Sequence, residues 1–166
     1  DSGWACPTWP REWGGRDLPA SAAAAVSAEL AAYGAAGPPE GVGMHLAAPT
    51  LLEHGSDDLK RTFLHPTLTG EISWCQLFSE PGAGSDLASL STRAERVSAS
   101  DTTGSGWRLT GQKVWTSLAR EADWAICLAR TDPAAPKHQG ISYFLVDMHS
   151  PGVEVRPLRE ANGGYL

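Results

Sequence analysis

Cys75-Gln76-Leu77-Phe78-Ser79-Glu80-Pro81-Gly82-Ala83-Gly84-Ser85-Asp86 and, further along, Gly111-Gln112-Lys113-Val114-Trp115-Thr116-Ser117 are the stretches on which the reading of this chain turns. The first begins as an apolar strand and runs into a loop broken by one proline and two glycines, which exposes backbone N–H groups and two serine hydroxyls. The second reads as another strand, bringing a tryptophan face and a further pair of hydroxyls. Alternation along such a strand sends Trp115 and Ser117 to one side and Thr116 to the other. Together they offer neutral donors and an aromatic plane, the parts that hold a flat ring and a pyrophosphate. Taken alone, a glycine pair after a strand is a turn and a tryptophan on a strand is core. Gly82-Ala83-Gly84-Ser85 also lacks the lysine of a Walker loop and the spacing of a dinucleotide fingerprint, so those nucleotide folds are excluded.

Outward from this pair of stretches the chain divides in texture near residue 71. Ala20 to Tyr33 is alanine-rich with almost no β-branched residue, and Gly34 with Gly37-Pro38-Pro39 ends it, which predicts a helix. Its surface is small and apolar nearly all round, so it is expected to pack between other helices. Thr50 to His54 reads as a short helix stopped at Gly55, and Ser56 opens another run, with Asp57 and Asp58 in its first turn and Pro66 as its expected end. From Ile72 the pattern changes to short runs of β texture: Ile72 to Ser79, Thr92 to Val97, Trp107 to Thr110, Gln112 to Ser117, Trp124 to Arg130, Ile141 to Asp147 and Val153 to Arg156. Gly104-Ser105-Gly106 and Gly111 are turn signals, and 132–140 reads as a surface loop. The expected class is α+β: a short helical portion over residues 1–71, then an antiparallel β-sandwich or barrel-like domain over 72–166.

Bulk properties narrow the function classes. The 166 residues carry a net charge of -6, which gives no general footprint for nucleic acid or an anionic membrane, so a phosphorylated ligand must be held locally. No run approaches the roughly 18 apolar residues of a membrane span. Cys6, Cys75 and Cys127 form no metal-ligand spacing and are expected to be buried free thiols in a reducing, cytoplasmic compartment. The five histidines are scattered, so no metal site is expected. The tryptophans other than Trp115 are read mainly as core and contact residues.

The string Ser79 to Asp86 with Gly111 to Ser117 closely resembles the middle domain of the acyl-CoA dehydrogenase family, and Pro7 to Gly15 and His54 to Leu64 resemble, more weakly, the helical segment ahead of it. The resemblance implies FAD as cofactor and an acyl-CoA thioester as substrate. It implies that Gln76, Leu77, Phe78 and Ser79 meet the polar edge of the flavin ring, that Gly84 and Ser85 approach the pyrophosphate, and that Ser85 also faces the substrate. Trp115, Thr116 and Ser117 would complete the cradle, with Ser117 standing where relatives place a threonine that hydrogen-bonds flavin N5. Glu80 and Asp86 are then loop-fixing hydrogen-bond acceptors. One departure falls at Leu118, where relatives often carry glycine or asparagine. The resemblance further implies an electron-transfer flavoprotein or similar acceptor and a homo- or hetero-oligomeric enzyme. The family's proton-abstracting glutamate lies in a C-terminal helical domain that this chain does not reach, so no catalytic residue is assigned and the 166 residues are expected to be inactive by themselves. Two other readings stay open: an acyl-CoA oxidase or flavin monooxygenase of the same superfamily, and a noncatalytic binding or assembly domain.

Overall fold

The computed structural model describes residues 2–97, 106–159, 161 and 163–164. Gly104 and Ser105 of the expected turn lie outside the described residues. The chain forms two compact units, Asp1–Trp74 and Cys75–Leu166.

In the first unit α1 (Ala20–Ala32) forms where the alanines predict it, but it buries none of its residues within the chain. A π-helical turn, Gly43–Ala47, which the sequence had not signalled, leads into α2 (Ala48–His54), which begins two residues ahead of the expected Thr50. Ser56 caps α3 (Asp57–Thr69), its hydroxyl accepting from the Leu59 N–H at 3.3 Å. Pro66 does not end this helix. The chain continues to Thr69 and stops at Gly70, whose φ of 74° closes the C-terminus. Packing overrides the proline: the Thr67 hydroxyl donates to the Phe63 carbonyl (2.7 Å) and accepts from Trp74 Nε1 (2.9 Å), while Phe63 meets the Trp74 ring edge-on at 5.6 Å. Those contacts hold the last turn that a proline alone would release.

A mixed five-stranded sheet, all but its first residue in the second unit, is made of β1 (Trp74–Leu77), β2 (Arg93–Val97), β3 (Gly106–Thr110), β4 (Trp124–Arg130) and β5 (Ile141–Asp147), in the order β1-β4-β2-β3 with β5 also on β4. The α+β class is as expected. The sheet is not wholly antiparallel: β2–β3 and β4–β5 are antiparallel ladders, but β2 meets β4 in parallel, at the single pair Arg93 and Arg130. Consecutive Ala125, Ile126 and Cys127 are all buried, as a strand covered on both faces requires. Cys75, Ala122, Ala125 and Met148 form a core on which Leu77, Ala119 and Val146 pack.

Two expected strands are absent. Residues 111–116 and 153–158 are irregular. In the first, Trp115 (φ 60°), and just after it Leu118 (φ 62°), take left-handed backbone that no strand accommodates, so the alternation argument placing Trp115 and Ser117 on one face does not apply.

Candidate cofactor-binding site

The two diagnostic stretches do come together, and the group that joins them is a buried ion pair. Lys113 Nζ donates to Glu80 Oε1 (2.9 Å), to the Phe78 carbonyl (3.1 Å) and to the Leu128 carbonyl (2.8 Å), using all three ammonium protons. Both side chains are almost fully buried, at 7% and 4% exposed. Glu80 Oε2 accepts from the Ser91 N–H (2.6 Å) and hydroxyl (2.7 Å), and Oε1 also accepts from the Thr92 N–H (2.9 Å). Burial by itself would raise the Glu80 pKa, but the hydrogen bonds from Lys113, Thr92 and Ser91 outweigh it and hold the group at about 2. Glu80 is therefore an ionised structural anchor, as its loop-fixing reading expects.

Further bonds stitch the same seam. The Val114 N–H donates to the Ser79 carbonyl (2.9 Å) and the Thr116 hydroxyl to the Gln76 carbonyl (3.2 Å). Gly111 lies so close to Thr92 that a Cβ there would overlap the Thr92 hydroxyl and Cα. Within the loop, Glu80 and Ala83 exchange backbone hydrogen bonds of 2.9 and 3.1 Å. At its far end Asp86 takes both oxygens to Lys137 Nζ (2.9 and 2.8 Å) and accepts from the Ser89 hydroxyl, and these partners lower its pKa. Asp86 too is a fixing acceptor.

A cavity of about 630 Å³ is lined by Leu77, Thr92, Lys113, Trp115, Thr116 and Cys127 among others. It takes in Leu77, Trp115 and Thr116 from the expected set; Gln76, Phe78, Ser79, Gly84, Ser85 and Ser117 stand outside its lining. Trp115 is 72% exposed, and Gly84, Ser85 and Ser117 are exposed as well. Thr116 spends its hydroxyl on Gln76, whereas the hydroxyls of Ser79, Ser85 and Ser117 donate to no atom among the described residues. Gly84 has no left-handed backbone to explain it, and apart from its two chain neighbours no atom of the described residues comes within 4 Å of where its Cβ would stand. Nothing in the chain itself demands glycine there, and the open approach fits a ligand drawn close to the loop amides.

Sequence reasoning missed Lys113 as a site residue, although it stands inside the quoted motif; a lysine between a glutamine and a valine gives no sign of burial. Among the described residues no cluster of His, Cys, Asp and Glu could hold a metal ion, and no helix is long and apolar enough to cross a membrane. The three cysteines are buried and free.

A helical unit followed by a sheet carrying this pinned loop matches two family profiles: "Acyl-CoA dehydrogenase, N-terminal domain" over residues 1–71 and "Acyl-CoA dehydrogenase, middle domain" over 75–164. The chain belongs to the acyl-CoA dehydrogenase family. Among individual proteins it is similar to acyl-CoA dehydrogenase FadE34 of Mycobacterium tuberculosis, 54% identical over the whole chain and 22% of that protein, and to acyl-CoA dehydrogenase IpdE1 of Mycolicibacterium smegmatis, 42% identical over 98% of the chain and 42% of that protein. Of solved structures, the Tcur3481–Tcur3483 steroid ACAD superposes with a TM-score of 0.78 at 34% identity, covering 99% of this chain and 41% of the other. The chain thus spans less than half the length of these relatives.

Proposed function

We propose that this chain is the flavin-cradling portion of a FAD-dependent acyl-CoA dehydrogenase that forms a double bond between the α and β carbons of an acyl-CoA thioester. The observation that carries this is the pinned junction of the two motifs: Lys113 and Glu80 hold the glycine loop beside a segment that turns the Trp115 indole outward, with the Ser79, Ser85 and Ser117 hydroxyls left unspent. Gln76, Leu77, Phe78 and Ser79 would meet the ring's polar edge, Gly84 and Ser85 the pyrophosphate, and Trp115, Thr116 and Ser117 the ring face and N5. Because Thr116 is committed to Gln76, its contribution is through the backbone and methyl group, and the donor to N5 falls to Ser117. FAD, when bound, supplies the hydride acceptor. The chain's own part is to orient the ring and to place neutral donors where negative charge develops on reduction.

Proton removal beside the thioester carbonyl needs a base, and Glu80 is unsuited to it, since its pKa of about 2 and its full set of donors leave it little affinity for a proton. We place that base in residues of the whole protein other than these. An electron-transfer flavoprotein or similar acceptor, a homo- or hetero-oligomeric assembly and a cytoplasmic location complete the reading. The similarity to a protein described as a steroid ACAD makes a steroid-derived acyl-CoA the first substrate to try.

The test is retention of flavin. Gly84→Val puts two methyl groups into the open approach and is expected to leave the protein colourless after purification while its unfolding curve stays close to that of the parent. A Gly84→Val protein that purified with full yellow absorbance would remove the assignment of this loop.

A further inference from the structure

The glycine loop is held by more than the ion pair at its base. Lys113 and the Ser91 and Thr92 donors gather on Glu80, which closes residues 80–92 into one long loop. The part that follows Asp86 is held by a single residue of the neighbouring strand. Arg130, the last residue of β4, donates from Nη2 to the Ala88 carbonyl (2.7 Å) and from Nε to the Leu90 carbonyl (3.3 Å), while Nη1 donates to the Lys137 carbonyl (3.3 Å). Its backbone N–H donates to the Thr92 carbonyl (2.7 Å). One residue therefore grips positions 88, 90 and 92, and it also holds Lys137, whose ammonium takes both oxygens of Asp86. Among the described residues Arg130 forms no ion pair, so its guanidinium serves as a planar fork of donors and not as a counter-charge. The socket is tight: a Cβ on Gly140 would overlap the Asp132 carbonyl and stand 3.2 Å from Arg130 Nη1. Leu90 is 2% exposed, which gives the grip a buried footing.

We propose that Arg130 is a positioning residue of the glycine loop: by holding three carbonyls it fixes the path of residues 82–90 and with it the place of the Gly84 and Ser85 amides, a role in cofactor binding that rests on the flavin reading of the same loop. Amides aimed at an anion are effective only when they are in place before it arrives. Gly82 and Gly84 make this backbone costly to order, so the order must come from outside the loop. Lys113 supplies it at the base and Arg130 beyond Asp86. The two differ in what their loss does. Removing Lys113 strands a buried carboxylate, whereas removing Arg130 frees carbonyls of a surface loop and leaves the β4–β5 ladder intact. A lysine cannot stand in for Arg130, since one ammonium on a flexible stem does not span carbonyls from two separate loops.

Arg130→Ala and Arg130→Lys, made in the whole protein, test this with two readouts. In the flavin-free protein, amide hydrogen exchange over residues 82–90 is expected to quicken about tenfold in both variants, while exchange over 141–147 stays at the parent rate. Titration with FAD should show the dissociation constant raised about tenfold in both. Millimolar guanidinium added to Arg130→Ala should restore slow loop exchange and flavin affinity. Because guanidinium weakens folded proteins in general, that rescue cannot come from a gain in global stability. Arg130→Lys keeps the stem and the charge and carries the exchange and titration tests should the alanine variant not fold. Unchanged exchange over 82–90, an equal quickening over 141–147, flavin affinity unaltered by a loosened loop, or full function in Arg130→Lys would each overturn the proposal. A parent protein that binds no FAD removes the flavin cradle. The hold of Arg130 on the loop is then decided by exchange: it stands if 82–90 alone is released and falls if that segment keeps the parent rate.

Discussion

Replacing Lys113 by methionine keeps the length and apolar stem of the side chain while deleting the one cation in contact with Glu80. The carboxylate would keep its Ser91 and Thr92 donors but stand buried without a counter-charge, and breaking a buried pair from one side costs about 3–5 kcal/mol. The shifted acidity gives an independent figure of similar size. Moving Glu80 from its ordinary 4.5 to about 2 corresponds to roughly 3 kcal/mol of preference for the ionised group in the folded state. Because the folded pKa is depressed, this contribution is complete above the unfolded value and disappears as pH falls toward the folded one. The window therefore runs from about pH 5 down to about pH 2. In Lys113→Met the Glu80 pKa moves back up, so the variant loses less than the parent on acidification. Urea unfolding followed by tryptophan fluorescence should show a deficit of about 3–5 kcal/mol near pH 7 that narrows by about 2 kcal/mol near pH 3. A deficit below about 1 kcal/mol, or one that stays constant across that window, would refute the ion pair as the fastening of the two motifs. Adding Glu80→Gln to Lys113→Met should recover part of the loss, since the two changes share one interaction.

Leu118 sits at φ 62° and is 64% exposed, so it carries left-handed strain of about 1–2 kcal/mol with little burial to set against it. Leu118→Asn is expected to raise the urea midpoint by an amount equivalent to about 0.5–1 kcal/mol, and a lowered midpoint would contradict the strain. The thiols of Cys75 and Cys127 are pushed up to about 11, chiefly by burial, and burial also raises Cys6. A thiol reagent at about pH 8 should accordingly leave all three unreacted in the native protein and titrate all three in denaturant, whereas fast native labelling would show that one of these side chains is open to solvent.

Strands whose alternation was supported by packing were readable from sequence: β4 and β5 begin and end where their apolar runs do. The segment 112–117 shows the opposite case. Lys113, Trp115 and Ser117 at alternate positions imitate a strand, but the chain there follows Lys113 into the interior and must turn over at Trp115 and Leu118 to leave it. That turn depends on Glu80, thirty-three residues earlier, and no local pattern announces so distant a partner. Pro66 misled for a related reason, because Thr67 and Trp74 supply tertiary contacts that a proline rule does not weigh. Leu118 was legible: the family resemblance marked it as a departure from glycine or asparagine, and its backbone conformation is the one those residues tolerate best. The motif residues were identified, but not which hydroxyls remain available, since the bond from Thr116 to Gln76 follows from the fold.

The single parallel pair between Arg93 and Arg130 makes the sheet two leaves on a narrow hinge. The β2–β3 leaf and the β4–β5 leaf each have a full ladder of their own, while only a few bonds, among them the 2.7 Å bond from the Arg130 N–H to the Thr92 carbonyl, keep them in line. Tilting one leaf against the other must bend the chain at Arg93 and Arg130, next to the Ser91 and Thr92 donors that grip Glu80, so the crease of the sheet runs directly behind the anchor of the glycine loop.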